Sequence, residues 1–283
     1  MSTDLLFPIQ PAPDPLADDI TRLLQGPLAD GWAEAPPPEG LRGRLANRAA
    51  ASAGHIGRMV NVRKRQRLLT DSSGPGVMAH ELYRCADPAQ ARSGEPHRVW
   101  LVQMLPGFAW LPPVPDGVTG RQWLVTRGNA TLRIEGHEEL ELAGLDFHAE
   151  ADGNSPAGIA AGLGGATVLL RVGAAGRTDA TSREEDSAWE DYAPLIRRRV
   201  LWCEGDQAAL LYRAESGASV PQHGHGVDEE CLMLRGEVFL DDCLLQEGDY
   251  QLAPGNTRHD LVSTDTGALI YAHGDMEMKF TGA

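Results

Sequence analysis

The sequence predicts an all-β protein built of two tandem barrel or sandwich units, preceded by a short helical N-terminal segment. Three observations carry that expectation. From about residue 56 onward, short runs of Val, Leu, Ile and aromatic residues are cut by Gly, Pro and Asp at intervals of roughly ten residues, the pattern of a β-sandwich or barrel. The runs also repeat. VWLVQMLPGF at Val99 to Phe108 parallels AALLYRAESGA at Ala208 to Ala218, and QWLVTRGNATLRI parallels ECLMLRGEVFL, with Arg127-Gly128 and Arg235-Gly236 at matching turns. LELAGLDF and LLQEGDYQL likewise set Gly144 opposite Gly248. Residues 1–55 read differently: Leu16, Ile20, Leu23 and Leu24 recur at helical spacing, APPPEG breaks the pattern, and Leu41 and Leu45 begin a second short stretch.

The expected organisation is therefore a helical arm and linker over residues 1–55, one β unit over 56–175 and a second over 176–283, joined near the polar stretch AAGRTDATSREEDS. At 283 residues the chain has room for two such cores. Its net charge of −15 opposes a nucleic-acid backbone, and no window approaches the uninterrupted apolar length of a membrane span. The N-terminus shows no basic stretch followed by an apolar one, so a cytoplasmic protein is expected. Cys85, Cys203, Cys231 and Cys243 form no Cys-x-x-Cys and are too few for a disulfide framework, so reduced thiols are the default.

The chemistry is concentrated in the second unit. GASVPQHGHGVDEECLMLRG places five residues between Gly217 and His223, one between His223 and His225, three between His225 and Glu229, and six between Glu229 and Gly236. Residues two apart on a strand share a face, so His223 and His225 form a pair of inward imidazoles. Glu229 opens the next strand and His259 enters from a later one, giving three nitrogens and one carboxylate suited to one divalent metal ion per chain. Zinc is the ion expected first, with Fe, Mn or Ni as alternatives. Glu230 also lies near His225 in sequence, but only Glu229 keeps the spacing to Gly236, so Glu230 is expected to point out of the barrel. Cys231 and Met233 alternate inward with Glu229 and are expected to line the cavity, and Arg213 and Tyr271 are further candidates for its wall. In the first unit the matching positions are Pro113, Pro115 and Arg121, which cannot bind a metal.

The Gly217 to Gly236 stretch reproduces the first cupin motif without a gap. Gly248, Pro254 and His259 resemble the second, with Asn256 where the family usually has Gly. The fold this resemblance implies is the tandem cupin, or bicupin, with double-stranded β-helix (jelly-roll) barrels. The two copies and the N-terminal segment together resemble the ChrR-type cupins, anti-sigma factors whose cupin domain senses stress while a zinc-bound helical domain holds a sigma factor. That helical domain carries a His and two Cys as zinc ligands in the family, whereas residues 1–55 contain only His55 and no cysteine. The resemblance implies a regulatory protein with a protein partner of sigma-factor type or a small-molecule ligand, in a chain that could pair as a homodimer. The same ligand set also resembles that of metal-dependent cupin dioxygenases that cleave diketones or flavonols, which implies the enzymatic alternative.

Overall fold

The computed structural model describes residues 59–85, 97–113, 120–151, 155–173, 176 and 178–280, so the arm expected over 1–55 lies outside the described residues. The nineteen strands among the described residues all fall in two antiparallel sheets. The first runs Val77–Cys85, His97–Met104, Ala157–Gly173, Gly120–Ile134, Phe147–Glu150, Ala180–Ser182 in spatial order. The second runs Glu190–Ala193, Ile196–Glu204, Gln207–Ala214, Ala268–Asp275, Glu229–Leu240, Arg258–Ser263, Ser219–Gly224, Lys279–Phe280. Each folds round its own core, and both fall within one compact unit. Among the described residues no helix is long and apolar enough to cross a membrane.

The apolar runs that repeat between the two copies have a common cause. A strand with one wet face alternates apolar and polar residues, whereas a strand covered on both faces reads as a continuous apolar run. In His97–Met104, Trp100, Val102 and Met104 fill the first barrel, while Val99 and Leu101 turn the other way into a core shared by the two barrels. In Gln207–Ala214, Ala208, Leu210 and Tyr212 fill the second barrel, and Ala209 and Leu211 enter the same shared core. Leu82, Phe147, Trp202, Tyr250 and Tyr271 complete that shared layer. Each such large side chain contributes about 1.5–3 kcal/mol by leaving water, so the layer holds the barrels together as one body.

The barrels also exchange strands across the join suggested by the sequence. Val60–Val62, ahead of the first barrel, pairs with Tyr250–Ala253 of the second. Ala180–Ser182, beyond residue 175, pairs back onto Phe147–Glu150 of the first. The boundary is thus an overlap, a feature the apolar pattern cannot show because both short strands carry little of it.

The matched Arg-Gly turns are explained by backbone sterics. Gly128 and Gly236 adopt φ of +78° and +73°, and a Cβ at either would strike a carbonyl oxygen, that of Gly165 or Gly267. Only glycine tolerates both demands. The arginines beside them have no such local reason.

Candidate metal centre

His223 and His259 are cross-strand partners of Ser219–Gly224 and Arg258–Ser263, which puts both imidazoles on the inner face of the second barrel. His225 follows just past the first of these strands. Its backbone is held by His225 N donating to Thr257 O at 3.0 Å and Asn256 N donating to His225 O at 2.7 Å. Asn256, the departure from the family pattern, takes φ of +56°, the left-handed conformation that Asn tolerates better than most residues. Glu229 is the first residue of Glu229–Leu240 and enters the same space.

Ligand atoms of His223, His225 and Glu229 lie within 4.8 Å of one another. The ring of His259 stands 4.9 Å from that of His225 and 5.6 Å from that of His223, centroid to centroid. His223, His225 and Glu229 thus form one group, and the His259 ring stands beside it. Each imidazole is oriented through Nδ1. His223 Nδ1 donates to Pro221 O at 3.1 Å, and His259 Nδ1 donates to Asp241 Oδ2 at 3.1 Å. His225 Nδ1 lies 3.0 Å from Thr257 Oγ1, whose own hydroxyl donates to Pro254 O, so the imidazole must be the donor there. With the proton on Nδ1 in all three, each Nε2 presents a lone pair.

Those of His225 and His259 are buried with no hydrogen-bond partner among the described residues. Unpaired buried acceptors cost about 1–3 kcal/mol each, and a divalent cation among three Nε2 atoms and a carboxylate removes that cost. The residues present fit such an ion.

Electrostatics agree. Burial pushes the His225 imidazole below the usual 6.5, against the opposing pull of Glu229, and the nearby His259 and His223 lower it further. It therefore stays neutral, as a ligand must. Burial alone would raise the Asp241 carboxyl, but the hydrogen bond from His259 and the backbone N–H groups of Leu261 and Asp260 bring it down to about 2. Burial and the neighbouring Glu229 push the Cys231 thiol well up, and its Sγ donates to Glu229 Oε1 at 3.6 Å.

The four side chains expected in the cavity wall divide. Cys231 lines a cavity of about 70 Å³ beside His223, Glu229 and His259, together with apolar residues such as Val220, Leu240, Val262 and Ile270. Met233 points inward as expected but packs deeper, with Val238, Leu240 and Leu245. Arg213 and Tyr271 need correction. Tyr271 is buried in the core between the barrels, and Arg213 Cζ lies 4.3 Å over the ring of Trp189. The error is one of parity on paired strands. Leu211 faces Tyr271 and Arg213 faces Leu269 on the side turned to the first barrel, so the wall comes from their neighbours Tyr212, Ile270 and Ala272. Sequence reasoning also missed Asp241 and Thr257, which lie far along the chain from the imidazoles they orient and form no motif with them.

In the first barrel, Arg121 stands where Glu229 stands in the second. It is fully buried and donates through Nε and Nη2 to Glu150 Oε2 at 3.0 and 2.6 Å, while Trp123 Nε1 donates to Glu150 Oε1. An internal ion pair occupies the place of the metal ligands. His148 is buried with Nδ1 at 2.9 Å from Thr181 Oγ1.

Comparison with known proteins agrees with this geometry. Residues 177–277 match the family model of the ChrR cupin-like domain. The match includes His223, His225, Glu229 and His259. Solved structures extend the likeness to both barrels. Protein Ylba from E. coli superposes with a TM-score of 0.57 at 12% identity, over 80% of this chain and 94% of that one. A putative glyoxylate-induced protein from Pseudomonas aeruginosa gives 0.57 at 12%, over 80% and 92%. A mutant oxalate decarboxylase from Bacillus subtilis gives 0.56 at 14%, over 76% of each chain. At these identities the likeness is one of fold, and the fold is the bicupin. No curated protein matches the sequence.

The folded protein should lose stability in acid. His225, His273 and His148 all have pKa values lowered by burial, so the folded chain binds fewer protons than the unfolded one below the ordinary 6.5. Their contribution is complete above that pH and is lost as pH falls through it. The lowered carboxyls of Asp241 and Glu230 add a second loss below about 4.5, and Glu150, raised by burial, opposes it only in part. Thermal melts from pH 8 to pH 4 should fall monotonically below about 6.5. A melting temperature that rises between pH 7 and pH 5 would contradict this reading.

Proposed function

We propose that the second barrel holds one divalent metal ion through Nε2 of His223, His225 and His259 and a carboxylate oxygen of Glu229, and that the protein is regulatory, acting through a protein partner. Zinc is the ion favoured, since four protein ligands complete its tetrahedron without a place for substrate. The observation that carries the regulatory reading over the enzymatic one is the size of the space beside the ligands. It amounts to about 70 Å³ and is lined largely by aliphatic side chains, whereas pockets for drug-sized ligands run to roughly 300–1,000 Å³. A space of this size suits a flavonol or a diketone poorly.

The family match over residues 177–277 supports the same reading, because the ChrR-like resemblance implies sensing rather than turnover. The test has two parts. Metal analysis of protein purified without nickel affinity should return close to one equivalent per chain, zinc foremost. Protein reconstituted with Fe(II) should take up no oxygen on addition of diketones or flavonols. Uptake that disappears in a Glu229→Gln variant would establish the dioxygenase instead.

A further inference from the structure

The matched Arg-Gly turns meet at one place. Arg127 from the first barrel and Arg235 from the second both line a groove of about 400 Å³ between the barrels, together with Lys64 and Arg67 from the segment that follows the exchanged strand Val60–Val62. Four cations in one groove contrast with a chain whose net charge is −15. The carboxylate on its wall is Glu247, which is exposed. Asp249 lies close by, but its oxygens already accept from Arg63 Nη1 and Lys64 N, each at 2.8 Å, and from Gln246 N at 3.2 Å.

The cations are not similarly engaged. The guanidinium groups of Arg127 and Arg235 make no hydrogen bond or ion pair with any described residue. Nε and Nη2 of Arg67 are shielded from solvent and lack partners among the described residues. Burial lowers the pKa of this guanidinium, and Asp249 offsets that only in part. A buried cationic donor without an acceptor is costly, and the acceptor it calls for is an anion.

We propose that the groove between the barrels is a binding site for a small phosphate-bearing molecule, gripped by Arg67, Arg127, Arg235 and Lys64. Three guanidinium forks and an ammonium match the several oxygens and multiple charges of a di- or polyphosphate better than a single carboxylate. The volume suits a molecule of mononucleotide size. The site is separate from the metal centre and does not depend on the function proposed for it.

Calorimetric titration of the full, metal-loaded chain with pyrophosphate, with adenosine diphosphate and with hexaglutamate tests the proposal. Pyrophosphate or the nucleotide should bind, more weakly as salt rises from about 50 to about 500 mM. Tighter binding of the nucleotide would show that the nucleoside is also read, and equal binding that phosphate alone is recognised. The exposed Arg127→Ala and Arg235→Ala changes should each weaken binding about tenfold and together nearly abolish it, with unchanged melting temperature. Stripping the metal should leave the affinity as it was. No binding of either phosphate at low salt, full binding by the double variant, dependence on the metal, or tighter binding of hexaglutamate would each overturn the proposal.

Discussion

Replacing His259 with Ala is expected to weaken metal binding by at least about 100-fold, since even residues that only orient a ligand typically account for 10–100-fold. The same variant should melt at lower temperature. A ligand present at about a thousand times its dissociation constant stabilises the fold by about 4 kcal/mol, which in a chain of this size is about 10 °C. Asp241→Asn gives the graded control. It removes the negative charge opposite His259 Nδ1 at 3.1 Å and should cost about tenfold in affinity while leaving all four ligands in place. Metal content and calorimetric melting, measured with and without added zinc, check both. Full occupancy in the His259 variant would mean that the ion sits elsewhere.

The second large effect is expected between the barrels. Arg171 of the first barrel donates through Nε to Glu230 Oε1 at 2.8 Å, Tyr250 Oη donates to Glu230 Oε2 at 3.1 Å, and His97 Nε2 lies 3.3 Å from the same carboxylate. Glu230 and Arg171 are both buried, at 1% and 5% exposure. Glu230→Leu removes the carboxylate that faces the Arg171 guanidinium in this apolar layer and should cost about 3–5 kcal/mol, close to 10 °C of melting temperature. Arg171→Met in the same chain should recover most of that loss, because replacing both partners by apolar side chains of similar volume is often nearly neutral. A double variant as unstable as the single one would show that Glu230 acts through Tyr250 or His97 instead. The four chains compared by chemical denaturation give the coupling directly.

The fold was legible because its two strongest signals are local. Turn residues at regular spacing announced strands, and the copies announced each other. The candidate metal site was legible because His223 and His225 stand two residues apart and the others lie at fixed distances from Gly236 and Gly248, whose backbone takes the left-handed conformation that favours glycine. Legibility failed where a feature needs two distant segments at once. Nothing in the sequence around Glu230 points to Arg171, and Asp241 and Thr257 serve imidazoles with which they share no motif. Tyr212 and Tyr271 illustrate a different limit. Strands covered on both faces are apolar throughout, so their pattern does not say which residues face the metal and which face the other barrel. Arg213 and Tyr271 therefore lie on the face opposite to the one their sequence suggests.

The exchanged strands set the order in which this molecule can be made. Val60–Val62 waits for Tyr250–Ala253, and the hydrogen bond from Gln251 Nε2 to Asn61 Oδ1 spans 190 residues of chain. On the ribosome the first barrel can close most of its sheet early, yet its last strand, Ala180–Ser182, emerges only with the start of the second. Val60–Val62 finds its partner only after some 190 further residues have been made. Contacts of such sequence separation slow folding, because the loop must close before any pairing stabilises it. The two barrels are therefore expected to mature as a single late cooperative event rather than one after the other. An early product halted between them would expose the apolar layer that the second barrel normally covers, which makes that intermediate the chain's point of greatest need for a chaperone.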